Sequence, residues 1–151
     1  VPFIARWPGE VKPNTLSDEP ICLTDLMASC AAILDVKLPD NVGQDSYNIL
    51  PALVGEELDK PIREAIVSHS VYGVFAIRQG PWKLILENRD SGGWVRPSGS
   101  GPKPGKPGQL YNLNEDPAEQ NNLFYKHPAI VKRLAALLER YKKHGRSTPI
   151  N

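Results

Sequence analysis

The sequence predicts an α/β fold, with an α+β arrangement for this segment: the end of a larger α/β domain, then a small antiparallel sheet covered by a terminal helix. Three observations predict this fold. The N-terminal part carries apolar residues at helical spacing, residues 62–87 have strand composition around a Gly-Pro turn, and residues 128–144 carry an apolar helical stripe. We place a boundary near residues 56–61, which gives domains 1–58 and 59–151.

The first predicted domain contains a strand, a helix and a loop. Residues 1–6 are an apolar run that a Trp-Pro-Gly turn ends, so they predict a strand. A helix is predicted from Thr24, its capping residue, to about Asp35. After a loop, Ser46 is expected to cap a short helical turn that Gly55 ends. The apolar face expected on the first helix consists of Leu26, Met27, Cys30, Ile33 and Leu34.

The second predicted domain begins with an antiparallel sheet. Residues 62–69 predict one strand, and residues 74–79 and 82–87 predict a hairpin around the Gly80-Pro81 turn. Residues 109–113 predict a further strand.

The last part of the chain combines a loop and a helix. Residues 91–108 are mostly Gly, Pro, Ser and Lys, which predicts a long exposed loop. The terminal helix, about 128–144, starts with Pro128 and stops at Gly145. Its apolar stripe is Ile130, Val131, Leu134, Leu137, Leu138 and Tyr141.

Composition limits the function classes. With 18 basic and 17 acidic residues the formal charge is +1, which gives no electrostatic support for a nucleic-acid or membrane partner. No apolar run approaches the ~20 residues that span a bilayer. Cys22 and Cys30, eight residues apart on a predicted helix, are expected to be buried free thiols rather than a disulfide. Because the chain starts at Val1 and its one methionine is Met27, we expect a processed product or a fragment.

Several blocks, in the same order, resemble sulfatases of the arylsulfatase type. Residues 1–9 resemble the strand and turn near the end of the family's catalytic α/β domain, residues 24–34 the helix that follows, and residues 45–55 the next block. Residues 109–123 are similar to the family's LYDL..DP.E..NL signature, with Asn112 where aspartate is commoner. The residues that match this signature are Leu110, Tyr111, Leu113, Asp116, Pro117, Glu119, Asn122 and Leu123.

The resemblance implies a C-terminal portion of a formylglycine-dependent sulfatase of the alkaline phosphatase superfamily. The parent would hydrolyse aryl or carbohydrate sulfate esters with a calcium ion and a formylglycine made from a Cys/Ser-x-Pro-x-Arg motif. Neither Cys22 nor Cys30 has that motif, and Asp40-Asn41 follows the first strand, whereas the family's metal-binding Asp-Asn pair precedes it. No catalytic residue and no metal ligand are therefore expected here, and the calcium ligands would lie outside this segment.

The partners implied are an upstream catalytic domain of the same protein and a sulfated small molecule or carbohydrate. The family resemblance implies a periplasmic, secreted or lysosomal location, which the segment itself does not determine.

Two residues are candidates for contact with substrate, since the family's C-terminal sheet and loops wall the active-site cleft. His69, at a strand end between Ser68 and Ser70, could donate to a sulfate or sugar oxygen, and Trp94 could stack on a ring. Tyr72 and Arg78 are weaker candidates for the same roles. A structural role at a strand end or on the surface is the alternative reading for each of them.

Two other functions remain open at this point. The parent could be a related phosphate or phosphonate ester hydrolase, or the chain could be a non-catalytic interaction module. Under the sulfatase reading, the isolated chain should show no turnover. It should also expose apolar surface on residues 1–6 and on the helix from Thr24.

Overall fold

The computed structural model describes residues 3–71, 73–87 and 108–149 and confirms the predicted fold class. The chain divides into two compact units. The first unit comprises Val1–Glu64 and Gly145–Asn151, and the second unit comprises Ala65–His144. The predicted loop at 91–108 lies, except for Gly108, outside the described residues.

The second unit contains a four-stranded antiparallel sheet in the order β1-β2-β3-β4. The strands are β1 (Ile66–His69), β2 (Phe75–Gln79), β3 (Trp82–Ile85) and β4 (Gln109–Asn112). The predicted hairpin is confirmed as β2 and β3. Strand β1 begins four residues later than predicted, because Ile66 already pairs with Arg78 and β2 ends one residue further on, leaving residues 62–65 without a partner strand.

The terminal helix, α3 (Pro128–His144), packs on one face of this sheet. Leu134 and Leu138 are completely buried in the same cluster as Ile77, Leu84 and Leu110. The predicted apolar stripe is therefore confirmed. A smaller cluster forms from side chains of the adjacent positions, namely Val74, Ala76, Ile85 and Tyr111 with Leu113 against them. Alternation along each strand separates the two clusters.

The first unit contains a 3-10 turn at Leu23–Asp25 and two short helices, α1 (Leu26–Ile33) and α2 (Leu50–Val54). Gly55 ends α2 with a left-handed conformation, φ +78°, as predicted. The strand predicted at residues 1–6 is wrong for the described residues 3–6, which have no regular structure. A strand needs a neighbour to satisfy its backbone groups, and the described chain offers none there.

Two predicted caps are also wrong. Thr24 lies inside the 3-10 turn, and it is Asp25 whose Oδ2 accepts the Cys22 backbone N–H, at 2.7 Å. Ser46 does not cap α2, because its Oγ accepts the Ala28 backbone N–H at 2.8 Å. Both caps were predicted from neighbouring residues alone. The partner that Ser46 actually binds, Ala28, lies far from it in the sequence, so the local sequence does not indicate it.

The large apolar side chains of α1 point to solvent. Leu26, Met27, Ile33 and the adjacent Leu34 are all exposed, whereas the small residues Ser29 and Ala31 are buried. Phe3 and Ile4 are exposed as well. The prediction of exposed apolar surface on both segments is thus confirmed for the described residues.

Residues 146–148, which we call the C-terminal strap, return to the first unit after α3. The Arg146 Nη1 lies 3.0 Å from the Asp40 Oδ1. The Ser147 N–H donates to the Asp45 Oδ1 at 2.8 Å, and the Tyr47 hydroxyl donates to the Ser147 carbonyl at 2.6 Å. The strap thereby fixes the loop of residues 40–47.

Candidate substrate-contacting site and its structural support

His69 ends β1, an edge strand of the sheet, and its side chain is exposed. Its Nδ1 lies 2.9 Å from the Ser70 carbonyl oxygen. A carbonyl only accepts, so Nδ1 must carry the proton of this bond. In the neutral ring Nε2 is then the acceptor, and it becomes a donor only when the ring is doubly protonated. Neutral His69 is therefore suited to a sugar hydroxyl, and protonated His69 to a sulfate oxygen.

An aromatic ring and a cation lie beside this histidine. The rings of His69 and Phe75 are 5.9 Å apart between centroids, and the two residues pair across β1 and β2. The Lys142 Nζ lies 4.8 Å from the centroid of the same Phe75 ring and also pairs with Glu139 at 2.8 Å. The cation–π contact joins α3 to this end of the sheet, whereas the ion pair lies within α3.

The other candidates do not join His69. Trp94 and Tyr72 lie outside the described residues. Arg78 is half-buried and its Nε donates to the Gly80 carbonyl at 3.0 Å, which holds it at the hairpin turn. Since Arg78 pairs with Ile66, three positions from His69 along β1, it lies roughly 10 Å further along the sheet.

The buried ion pair between Asp25 and Arg63 was missed by the sequence reasoning. Asp25 is completely buried and Arg63 is 6% exposed. The Asp25 Oδ1 lies 3.1 Å from Arg63 Nη2 and its Oδ2 lies 3.2 Å from Nη1, a bidentate arrangement. The carboxylate also accepts the backbone N–H groups of Cys22 and Tyr47. All of its acceptor capacity is used, which favours a structural role.

The Arg63 guanidinium links three segments of the first unit. Nη1 approaches the Cys22 Sγ at 2.9 Å, and Nη2 donates to the Asp45 carbonyl at 3.2 Å. Its Cζ lies 4.5 Å from the centroid of the Tyr47 ring. Burial is the main cause that raises the pKa of Tyr47 above 10.0. Both cysteines are free, as predicted, but the prediction that they are buried is wrong, because Cys22 is half-buried and Cys30 is exposed.

The block that resembles the family signature organises a turn. The Asp116 carboxylate accepts the N–H groups of Gln120 and Asn121, at 3.1 and 2.7 Å. The Asn122 Oδ1 accepts from Leu110 N–H at 3.1 Å, and Glu119 pairs with Lys83. These bonds satisfy backbone groups between β4 and α3, which is a structural task.

Tyr111 belongs to the same block and is buried. Its hydroxyl donates to the Gln109 Oε1 at 2.7 Å. Burial, followed by the negative charges of Glu119 and Asp116, raises the pKa of Tyr111 above 10.0.

Metal ligands are not assembled in the described part of the chain. No group of three or more His, Cys, Asp or Glu side chains that could hold an ion occurs in residues 3–71, 73–87 and 108–149. Asp40 is engaged by Arg146 rather than by a cluster of carboxylates. These residues therefore do not fit a calcium site. Within the same ranges no helix is long and apolar enough to cross a membrane.

Comparison with known proteins gives several matches to sulfatases. No protein-family model matches the chain. It is 38% identical over 146 residues to an N-acetylgalactosamine-6-O-sulfatase of Bacteroides thetaiotaomicron, across 94% of this chain and 27% of that protein. It is 31% identical over 133 residues to arylsulfatase A of Bos taurus, across 81% of this chain and 25% of that protein. The chain thus spans about a quarter of the length of these relatives.

Solved structures agree with the sequence matches. A Bacteroides thetaiotaomicron sulfatase structure connected with the metabolism of multiple glycosaminoglycans superposes with a TM-score of 0.73 and 36% identity, over 91% of this chain and 28% of that one. A phosphonate monoester hydrolase of Agrobacterium radiobacter superposes with a TM-score of 0.50 and 18% identity, over 80% of this chain and 24% of that one. The second likeness shows a shared fold alone.

Proposed function

Since this chain belongs to the sulfatases and corresponds to their C-terminal region, we propose that its parent protein hydrolyses sulfate esters. The observation that carries the proposal is the 38% identity to an N-acetylgalactosamine-6-O-sulfatase over 94% of the chain. Under this proposal the chain supplies structural support and one wall of the substrate cleft. The substrate class we propose is aryl or carbohydrate sulfates. The division into an end of the catalytic domain, 1–58, and a C-terminal subdomain, 59–151, belongs to the same proposal.

The upstream catalytic domain is the proposed partner of the exposed apolar surface. Leu34 and Ile4 are 72% and 90% exposed, and such patches usually mark a missing contact. An open groove of about 1050 Å³ lies beside the extended segment of residues 3–19 and is also lined by Ala52 and Leu53.

The chemistry itself is proposed to lie upstream. A formylglycine nucleophile and a calcium ion would supply attack on sulfur and withdrawal of charge from the sulfate oxygens. The described residues offer neither the nucleophile motif nor a metal cluster, so no step is assigned to them. His69 is proposed to contact a substrate hydroxyl or sulfate oxygen from the sheet edge. Trp94 is proposed to stack on a substrate ring.

Hydrolysis of 4-nitrophenyl sulfate tests the proposal. We expect calcium-dependent turnover from this chain joined to its upstream domain and none from the 151-residue chain alone. Turnover by the isolated chain would contradict the placement of the nucleophile. Preference of the joined protein for a phosphonate monoester over the sulfate would instead support the related hydrolase activity, for which the only present support is a shared fold.

The role of His69 has its own test. His69→Ala should raise KM for a carbohydrate sulfate and leave kcat for 4-nitrophenyl sulfate almost unchanged. Exposed Val71→Ala, two residues away, is the matched control. Equal effects of the two substitutions would leave His69 with a surface role only.

A further inference from the structure

The formal charge of +1 conceals a separation of charge between the two units. The second unit has 12 Lys and Arg against 6 Asp and Glu, a formal charge of +6, whereas the first unit has 6 against 11, a formal charge of −5. Helix α3 alone contains five of the basic residues and one acidic residue, Glu139. This helix therefore has a basic excess, although the whole chain has almost none.

The basic residues of α3 lie mainly on its outward face. Lys132, Arg133, Arg140 and Lys143, which we call the basic face, are all exposed, and the opposite side of the helix packs on the sheet. At about 100° and 1.5 Å per residue, Lys132 and Lys143 lie within about 20° of each other and about 16 Å apart along the axis. Lys132 and Lys143 thus form a row along three turns of helix, and Arg133 and Arg140 flank it about 80–100° further round.

Helix stability does not account for this row. Lys143 is in the last turn, which favours cations, but Lys132 and Arg133 lie near the N-terminal end, where the helix dipole gives cations no stabilisation. Glu139 pairs with Lys142 and not with Lys143. Lys132, Arg133 and Lys143 make no ion pair within the described part of the chain.

We infer that the basic face binds a linear sulfated carbohydrate chain, as an anchoring surface separate from the position where a sulfate ester is hydrolysed. The remaining exposed positions of α3 are Pro128, Ala129, Ala136, Glu139, Lys142 and His144. The face has no tryptophan, tyrosine or phenylalanine on which a single strand of nucleic acid could stack, and no large apolar side chain for insertion into a membrane. A hydrophilic chain with repeated sulfate groups needs only a spaced row of cations, which this face supplies. The choice of a sulfated carbohydrate rests on the proposed function.

The test compares two matched double substitutions in the protein joined to its upstream domain. Lys132→Gln with Lys143→Gln removes two charges from the basic face, and Lys37→Gln with Lys60→Gln removes two exposed charges from the acidic first unit. All four side chains are exposed, so both variants should fold. Affinity for chondroitin sulfate and for its chemically desulfated form is measured at low and at physiological salt.

We expect the basic-face variant to bind chondroitin sulfate at least about fivefold more weakly at low salt, with a smaller difference at physiological salt. The Lys37/Lys60 variant should bind like the unchanged protein, and the desulfated chain should bind weakly to all three. Equal affinity of both variants would overturn the inference. So would tighter binding of single-stranded DNA or anionic vesicles through the same two lysines.

Turnover of 4-nitrophenyl sulfate separates this inference from the proposed function. Both variants should hydrolyse this small ester at the unchanged rate, because none of the four substituted lysines is among the residues proposed to contact the ester. A protein without turnover that still binds the sulfated chain through Lys132 and Lys143 would refute the proposed activity and support the anchoring surface.

Discussion

Asp25 and Arg63 place two opposite charges inside the first unit, and this pair illustrates the residue scale. The carboxylate accepts four hydrogen bonds, from the guanidinium and from two backbone N–H groups, while the Arg63 Nε has no hydrogen-bond partner among the described residues. Burial of two charges costs desolvation free energy that their attraction roughly offsets. An aspartate at the start of a helix is already accounted for by its position, so nothing in the sequence indicates that Asp25 has a partner 38 residues away.

Loss of one member of this pair should destabilise the fold strongly. Arg63→Met leaves a buried carboxylate without its countercharge, and we expect the free energy of unfolding to fall by roughly 3–5 kcal/mol. Urea denaturation measures it, with the exposed Lys60→Met as the control. Asp25→Asn combined with Arg63→Met should cost less than the sum of the single changes. A loss no larger than that of Lys60→Met would contradict the structural role.

The buried tyrosine of the signature block should make stability depend on alkaline pH. Because its folded-state pKa is raised above 10.0, Tyr111 holds its proton in the folded state at pH values where the unfolded chain releases it. Its contribution is complete below pH 10 and is lost as pH rises from there through the higher folded pKa. In unfolding experiments across this range, Tyr111→Phe should give a flatter fall than the unchanged chain. An unaltered slope would contradict the raised pKa.

At the scale of elements, prediction succeeded where an element packs against other elements of this chain. The stripe of α3 and the hairpin of β2 and β3 were predictable because their apolar periodicity matches the core that they form. Residues 3–6 and α1 were harder because their large apolar side chains are exposed rather than in a core. Their composition predicted this exposure correctly, but it predicted a regular strand at residues 3–6 wrongly.

Charged substitutions on α1 should therefore affect the 151-residue chain and the protein joined to its proposed upstream domain differently. Met27→Glu with Leu34→Glu should change the stability of the 151-residue chain by less than about 0.5 kcal/mol and reduce its binding of an apolar dye. In the protein joined to its upstream domain the same change should be clearly destabilising. Val71→Glu, an exposed apolar position of the second unit, is the control and should be tolerated in both. Equal tolerance of the α1 variant in both proteins would exclude α1 from the contact.

At the scale of the whole molecule, two sequence segments far apart complete the first unit. The strap joins residues 40–47 through Arg146, Ser147 and Thr148, although its own sequence shows no motif. The candidate site likewise combines residues that are far apart in the sequence. His69 could be selected because histidine at a strand end is chemically informative, but the neighbouring Lys142 belongs to another element, and only the fold brings it to Phe75.

Truncation of the strap should loosen the first unit alone. In a chain that ends at Gly145, amide exchange should accelerate roughly tenfold or more at Tyr47 and Ile49, whose N–H groups bond to Asp25 and Ser29. The exchange of Ile77 and Leu84 should not change, because the second unit has its own core. A chain that ends at Thr148 is the control. Unchanged exchange in the shorter chain would show that the strap fixes nothing.

The strap also determines the order in which the chain can fold during synthesis. Its bonds join residues 100–106 positions apart, whereas residues 65–144 form a continuous stretch. On a ribosome, the bonds between the strap and the loop of residues 40–47 can form only after residue 148 has been made, so this loop of the earlier part is completed last. Until then the loop lacks its final bonds, and this nascent stretch is where we expect chaperones to bind.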